Sequence, residues 1–163
     1  MKKILILFLV VSSTTFGQKK LDKLLDKWNT RNVPYISVET LAMPKTDAIL
    51  LDAREENEFN ISHLENAICV GYDNFKIKET IAKLPEDKNA KIVVYCSLGI
   101  RSETVAHKLI KEGYTNVYNL YGGIFEWKNA DFKVIDTLGK STEKVHTFNK
   151  SWSKWLKKGE KVY

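Results

Sequence analysis

Ile92-Val93-Val94-Tyr95-Cys96-Ser97-Leu98-Gly99-Ile100-Arg101-Ser102 is the stretch from which the rest of the chain can be placed. Ile92 to Tyr95 is an unbroken apolar run rich in β-branched residues, the pattern of a parallel strand buried on both faces. Cys96 closes it. The period then turns helical, with Val105, Ala106, Leu109 and Ile110 on one face and Gly113 placed as a C-terminal stop. This reading puts a cysteine in a tight loop at the carboxyl end of a buried strand, aimed at the start of a helix.

That position has a chemical consequence. A helix N-terminus offers unpaired N–H groups and a partial positive charge, so it stabilises an anion placed there. A cysteine in that setting ionises more easily, and the thiolate is its nucleophilic form. Gly99 lets the loop bend so that successive amides face one centre, and Arg101 adds a cation at the rim. Cys96 is therefore the candidate nucleophile. Ser97, Leu98, Gly99, Ile100, Arg101 and Ser102 form the candidate anion-binding loop. The alternative is a structural cysteine that merely ends a strand.

Cys96-x-x-Gly99-x-Arg101 resembles the active-site loop of rhodanese-type sulfurtransferases. The resemblance extends upstream to Leu51-Asp52-Ala53-Arg54-Glu55, Phe59 and His63-Leu64-Glu65-Asn66-Ala67. Downstream it takes in Gly113-Tyr114, Val117, Leu120-Tyr121-Gly122-Gly123-Ile124 and Trp127, so it covers roughly residues 35–130. It implies a five-stranded parallel sheet with helices on both faces. It also implies sulfur transfer through a persulfide on Cys96, with loop amides holding the anion and no metal or organic cofactor. Ser97 would donate a hydrogen bond to the donor or the persulfide. Family members that handle thiosulfate well often carry a basic residue directly after the cysteine, where this chain has Ser97 and Leu98. The donor is therefore thiosulfate or a thiol persulfide, and the acceptor cyanide, a thiol or a protein. Related phosphatases and arsenate reductases use a loop one residue longer between cysteine and arginine, and the four residues here favour sulfur over phosphate. A non-catalytic binding or redox-sensing module is the competing reading.

Met1-Lys2-Lys3 followed by eight apolar residues, Ile4 to Val11, and small residues at Thr15 and Gly17 describes a secretory signal peptide, residues 1–17. The apolar run is far short of the ~20 residues of a membrane-spanning helix. Cleavage would leave 146 residues carrying +4, since Lys2 and Lys3 leave a chain of 26 basic and 20 acidic residues. This expectation places the protein in the periplasm or outside the cell, as a monomer with no membrane or nucleic-acid partner. That mild charge is no nucleic-acid signature, and 146 residues suit one compact domain.

The remaining chain divides into residues 18–34, an N-terminal helix and linker; 35–131, the catalytic domain; and 132–163, a C-terminal extension. Lys19 to Asn29 has Leu21, Leu24, Leu25 and Trp28 on one face of a helix. Asp52 and Arg54 stand at the carboxyl end of the strand Ala48–Leu51, the sheet edge where ligands bind in open α/β folds. They read as an ion pair supporting the loop from behind, with substrate contact the alternative; in proteins the chain resembles, this pair helps hold the loop. Glu55, Glu56 and Glu58 start a helix and read as a solvated face, and Phe75 to Leu84 forms another. His63 belongs to a turn that leads into a strand. Cys69 lies in an apolar strand and reads as a small buried hydrophobe, with a resolving role for Cys96 the alternative. Two separated cysteines and scattered histidines give no zinc spacing. In the extension, Val134–Asp136 and Lys144–His146 are expected to pair as a hairpin about Leu138-Gly139-Lys140. Trp152, Trp155 and Leu156 fall at helical spacing, as a stripe packed on the domain amid solvated lysines.

Overall fold

The structure is a computed structural model and describes residues 12–163. The apolar run Ile4–Val11 thus lies outside the described residues. In chain order the elements are α1 (Ser12–Trp28), β1 (Tyr35–Ile36), α2 (Val38–Leu41), β2 (Ile49–Asp52), α3 (Glu56–Ile61), β3 (Ile68–Cys69) and α4 (Ile77–Ile81). There follow β4 (Ile92–Tyr95), α5 (Arg101–Lys111), β5 (Val117–Leu120) and α6 (Gly123–Asn129). The extension contributes β6 (Val134–Ile135), β7 (Ser141–Thr142), β8 (Lys144–His146), a single 3₁₀ turn at Ser153–Trp155, and β9 (Glu160–Val162).

The first five strands form one sheet in the order β1-β5-β4-β2-β3, every pairing parallel. Parallel neighbours require crossovers, and the helices between strands supply them on both faces. β4 is the central strand and is buried along its whole length. Its alternation divides the core. Val93 and Tyr95 pack with Leu21, Leu25, Leu120, Ile124 and Phe125 on one face. Ile92, Val94 and Cys96 pack with Val105, Ala106 and Leu109 on the other. Each such aliphatic side chain contributes about 1.5–3 kcal/mol of burial. Because the period is two, Cys96 emerges on the α5 face and at the carboxyl edge.

Several elements differ from the expectations above. α1 begins at Ser12 rather than Lys19 and continues through Gly17–Gln18, where cleavage was expected. α4 is only Ile77–Ile81, because the amides of Lys83 and Leu84 bond to Thr80 and Ile81 and tighten the chain into turns before Pro85. The hairpin uses an earlier second strand than expected, Ser141–Thr142 in place of Lys144–His146. Val134–Ile135 pairs with Ser141–Thr142, since the Asp136 carboxylate accepts the amides of Leu138 and Lys140 and closes a short turn at Gly139. Lys144–His146 is thereby released to pair in parallel with β9 at the chain terminus. The tryptophan segment makes one 3₁₀ turn instead of a helix, because Asn129 Oδ1 takes the amides of Lys157 and Lys158 and draws the chain away. Leu156 is buried, and Trp152 and Trp155 pack against the same core as β4.

Candidate active site at Cys96

The loop after β4 is built by tying its carbonyls outward. The Cys96 carbonyl accepts from Ile124 N at 2.9 Å and the Ser97 carbonyl from Phe125 N at 3.2 Å, so the first turn of α6 caps the loop from one side. Gly123 permits this approach. A Cβ there would stand 2.2 Å from the Cys96 carbonyl oxygen, and the residue sits at φ +55°. The Gly99 carbonyl accepts from Asn119 Nδ2 at 2.8 Å and Asn29 Nδ2 at 2.7 Å. Gly99 itself is left-handed, at φ +101°.

With the carbonyls engaged elsewhere, the donors converge on sulfur. Gly99 N lies 3.2 Å and Ser102 Oγ 3.4 Å from Cys96 Sγ. Ser102 is oriented by the 2.7 Å bond from its hydroxyl to Asn119 Oδ1. Cys96 has no exposed surface. Burial opposes ionisation, but the Arg101 charge, the Ser102 hydroxyl and the amides of Ser102 and Gly99 outweigh it and bring the thiol below its ordinary pKa. A fully buried cysteine is usually pushed the other way. The loop is arranged to favour an anion at the sulfur.

Arg101 is not at the rim. It is buried and clamped by Glu58, with Nη1 to Oε2 at 2.6 Å and Nη2 to Oε1 at 2.8 Å. Glu58 is thus no part of a solvated face. It is 2% exposed, and although burial opposes its charge, the Arg101 guanidinium and Arg54 hold its carboxyl below the usual range. Ser97 also turns away from the sulfur. Its hydroxyl accepts from Arg101 Nη2 at 3.0 Å and points to Glu58 at 3.4 Å, so it braces the clamp rather than facing a bound donor. Leu98 is buried in the core beside Leu120 and Ile124, and Ile100 caps the start of α5.

Asp52 and Arg54 form a fully buried bidentate pair, 2.6 Å at the closest, and Arg54 Nη2 also donates to the Ser62 carbonyl at 2.7 Å. They lock β2 to the end of α3. His63 stacks on Phe59 at 3.8 Å and bridges Ile135. Cys69 is half-buried, free, and bonded weakly to the Arg54 carbonyl at 3.8 Å. Among the described residues no group of three or more His, Cys, Asp or Glu side chains is placed to hold a metal ion.

Besides Asn29, which holds the Gly99 carbonyl, three contributors escaped sequence reasoning. Glu58 is separated from Arg101 by 43 positions, and no local pattern distinguishes it from its neighbour Glu56. Asn119 sits in an otherwise apolar strand, and that buried polar residue was the one available signal. Phe148, from the extension, lies over the Arg101 guanidinium at 4.9 Å.

Residues 38–130 match the family model of the rhodanese-like domain. A tRNA uridine(34) hydroxylase of Hamiltonella defensa subsp. Acyrthosiphon pisum is 34% identical over 118 residues, 71% of this chain and 31% of that protein. One from Erwinia tasmaniensis is 36% identical over 83 residues, 50% of this chain and 24% of that protein. The chain thus spans less than a third of the curated relatives it matches. Among solved structures, a rhodanese-related protein from Thermoplasma volcanium superposes with a TM-score of 0.55 at 25% identity, over 63% of this chain and 97% of its own. A thiosulfate sulfurtransferase from Pseudomonas aeruginosa shares the fold, with a TM-score of 0.59 at 21% identity over 76% of this chain and 23% of its own.

Proposed function

The chain belongs to the rhodanese-like domain family, and from that premise we propose that it is a sulfurtransferase carrying sulfane sulfur on Cys96. One observation carries the reading: the Gly99 amide at 3.2 Å and the Ser102 hydroxyl oxygen at 3.4 Å close on a fully buried Cys96 sulfur, and with the Arg101 charge they bring its pKa below the ordinary value. The thiolate attacks the outer sulfur of the donor, forming a Cys96 S–S bond as the bond from that sulfur to the leaving group breaks. Thiosulfate would leave as sulfite and a thiol persulfide as the thiolate. The persulfide anion then sits in the loop of residues 97–102, where the amides of Gly99 and Ser102 already face the sulfur and no acid or base side chain is needed. Cyanide or a thiol removes the sulfur and regenerates the thiolate.

Intact mass of the purified protein tests this. A gain of one sulfur atom after a donor, removed by cyanide and absent in Cys96→Ser, is the expected result. No gain with either thiosulfate or glutathione persulfide would overturn it. We also propose that residues 1–17 direct export to the periplasm or beyond; a mature protein starting at Gln18 supports this, and one retaining Met1 counts against it.

A further inference from the structure

The extension reaches the cysteine loop from outside the matched family region. β8 lies against α3, and the backbone beyond it is fixed twice, since Thr147 N and Oγ1 both donate to the Val162 carbonyl of the β9 segment, at 2.8 and 3.0 Å. His146 presses toward Glu58, with Nδ1 3.8 Å from Oε1, and accepts the Phe148 amide at 3.1 Å. This turn forces Phe148 to φ +64°, a conformation that bulky residues rarely adopt. The residue is nonetheless 45% exposed. One side lies over Arg101 at 4.9 Å, and Trp152 supports it at 4.9 Å with a 45° tilt. A strained backbone that holds an aromatic residue half in solvent is not explained by core packing.

The charge around it is also unusual for a site that must recruit a small dianion. Arg101, the cation of the loop, is neutralised by Glu58 and covered by Phe148. The next residues after the cysteine, Ser97 and Leu98, are neutral and buried. Attraction by free charge is weak here, and apolar contact is on offer instead.

We infer that Phe148 is a specificity-determining residue, forming an aromatic wall at the approach to Cys96 that favours organic sulfane-sulfur donors with an apolar group over inorganic thiosulfate. The inference rests on the sulfur-transfer reading above. For an aryl thiosulfonate, the Cys96 thiolate takes the terminal sulfur, the S–S bond of the donor breaks, and the aryl sulfinate leaves with the electron pair. The aryl ring is the group that would meet Phe148 edge-on or offset.

The test compares kcat/KM for benzenethiosulfonate and thiosulfate, with cyanide as acceptor, in the full chain and in two variants. Phe148→Asn removes the ring while keeping a residue that tolerates the left-handed backbone. Opening the site can change both rates, so the ratio is the readout. The aryl-to-thiosulfate preference is expected to fall about five-fold or more in Phe148→Asn, and to be retained in Phe148→Tyr. An unchanged ratio in Phe148→Asn, with persulfide still formed by the unaltered protein, overturns the wall and leaves sulfur transfer standing. Failure of the unaltered protein to form persulfide with either donor overturns both.

Discussion

Cys69 and Cys96 end two strands of the same sheet, at the same carboxyl edge, with only β2 between them. Their chemistry diverges. Cys69 is the less buried thiol and lines a cavity of about 370 Å³, yet burial and the nearby Asp52 charge push its pKa up. Cys96 is wholly buried and lines neither that cavity nor the larger one of about 480 Å³ near Trp127, yet its pKa falls. Accessibility therefore does not track the ease of ionisation of the two thiols. What separates them is the surrounding charge and the number of donors: Arg101, the Ser102 hydroxyl and the amides of Ser102 and Gly99 favour the Cys96 thiolate, whereas at Cys69 burial and Asp52 outweigh the Gly71 amide and the Arg54 charge.

The contrast can be broken most severely at Gly123. Alanine there meets the Cys96 carbonyl at 2.2 Å in a left-handed backbone, so the loop must leave α6. Gly123→Ala is expected to lower persulfide formation at least a hundredfold, about 2.7 kcal/mol of transition-state stabilisation, with a reduced unfolding midpoint; near-normal turnover would refute the account of how the loop is set. Glu58→Gln comes next. It leaves Arg101 buried without its counter-charge, and denaturant unfolding should show a loss of about 3 kcal/mol.

A smaller change sharpens the comparison. Ser102→Ala removes the hydroxyl whose single proton is shared between Asn119 Oδ1 and the sulfur, and the rate of persulfide formation at neutral pH should fall about tenfold. The pH dependence follows from the two directions. A lowered Cys96 pKa keeps the thiolate populated as pH falls below the ~8.5 of a free thiol, whereas Cys69 ionises only at more alkaline pH. Persulfide formation in Cys69→Ser should thus match the unaltered protein at neutral pH. A loss there would give Cys69 the resolving role that its position does not support.

How much of this could be read in advance depends on range. The loop and its strand lie within eleven consecutive residues, so their periodicity, glycine and helix start announced both the cysteine and its setting. Asp52 and Arg54 are two positions apart and were legible as a pair for the same reason. Glu58, misread as solvated, and Arg101, misread as a rim cation, correct each other only across 43 positions. Nor does Ser97 disclose in sequence that its hydroxyl would face that clamp. The extension was least legible. Its hairpin shifted because the Asp136 side chain closes a shorter turn, and its tryptophan helix gave way to Asn129, a residue from another element.

The sequence by itself determined the parallel α/β class, the central strand and the place of Cys96 at its carboxyl end, because buried strands and helix starts are written in local apolar periodicity and in glycine placement. Tertiary structure alone decided which carboxylate neutralises Arg101, how Asn119 and Asn29 hold the Gly99 carbonyl, and that Phe148 lies over the guanidinium. These are meetings of side chains from distant elements. A buried charge or a polar atom accepts whatever partner the fold brings within reach, and the one-dimensional pattern carries no record of which it will be.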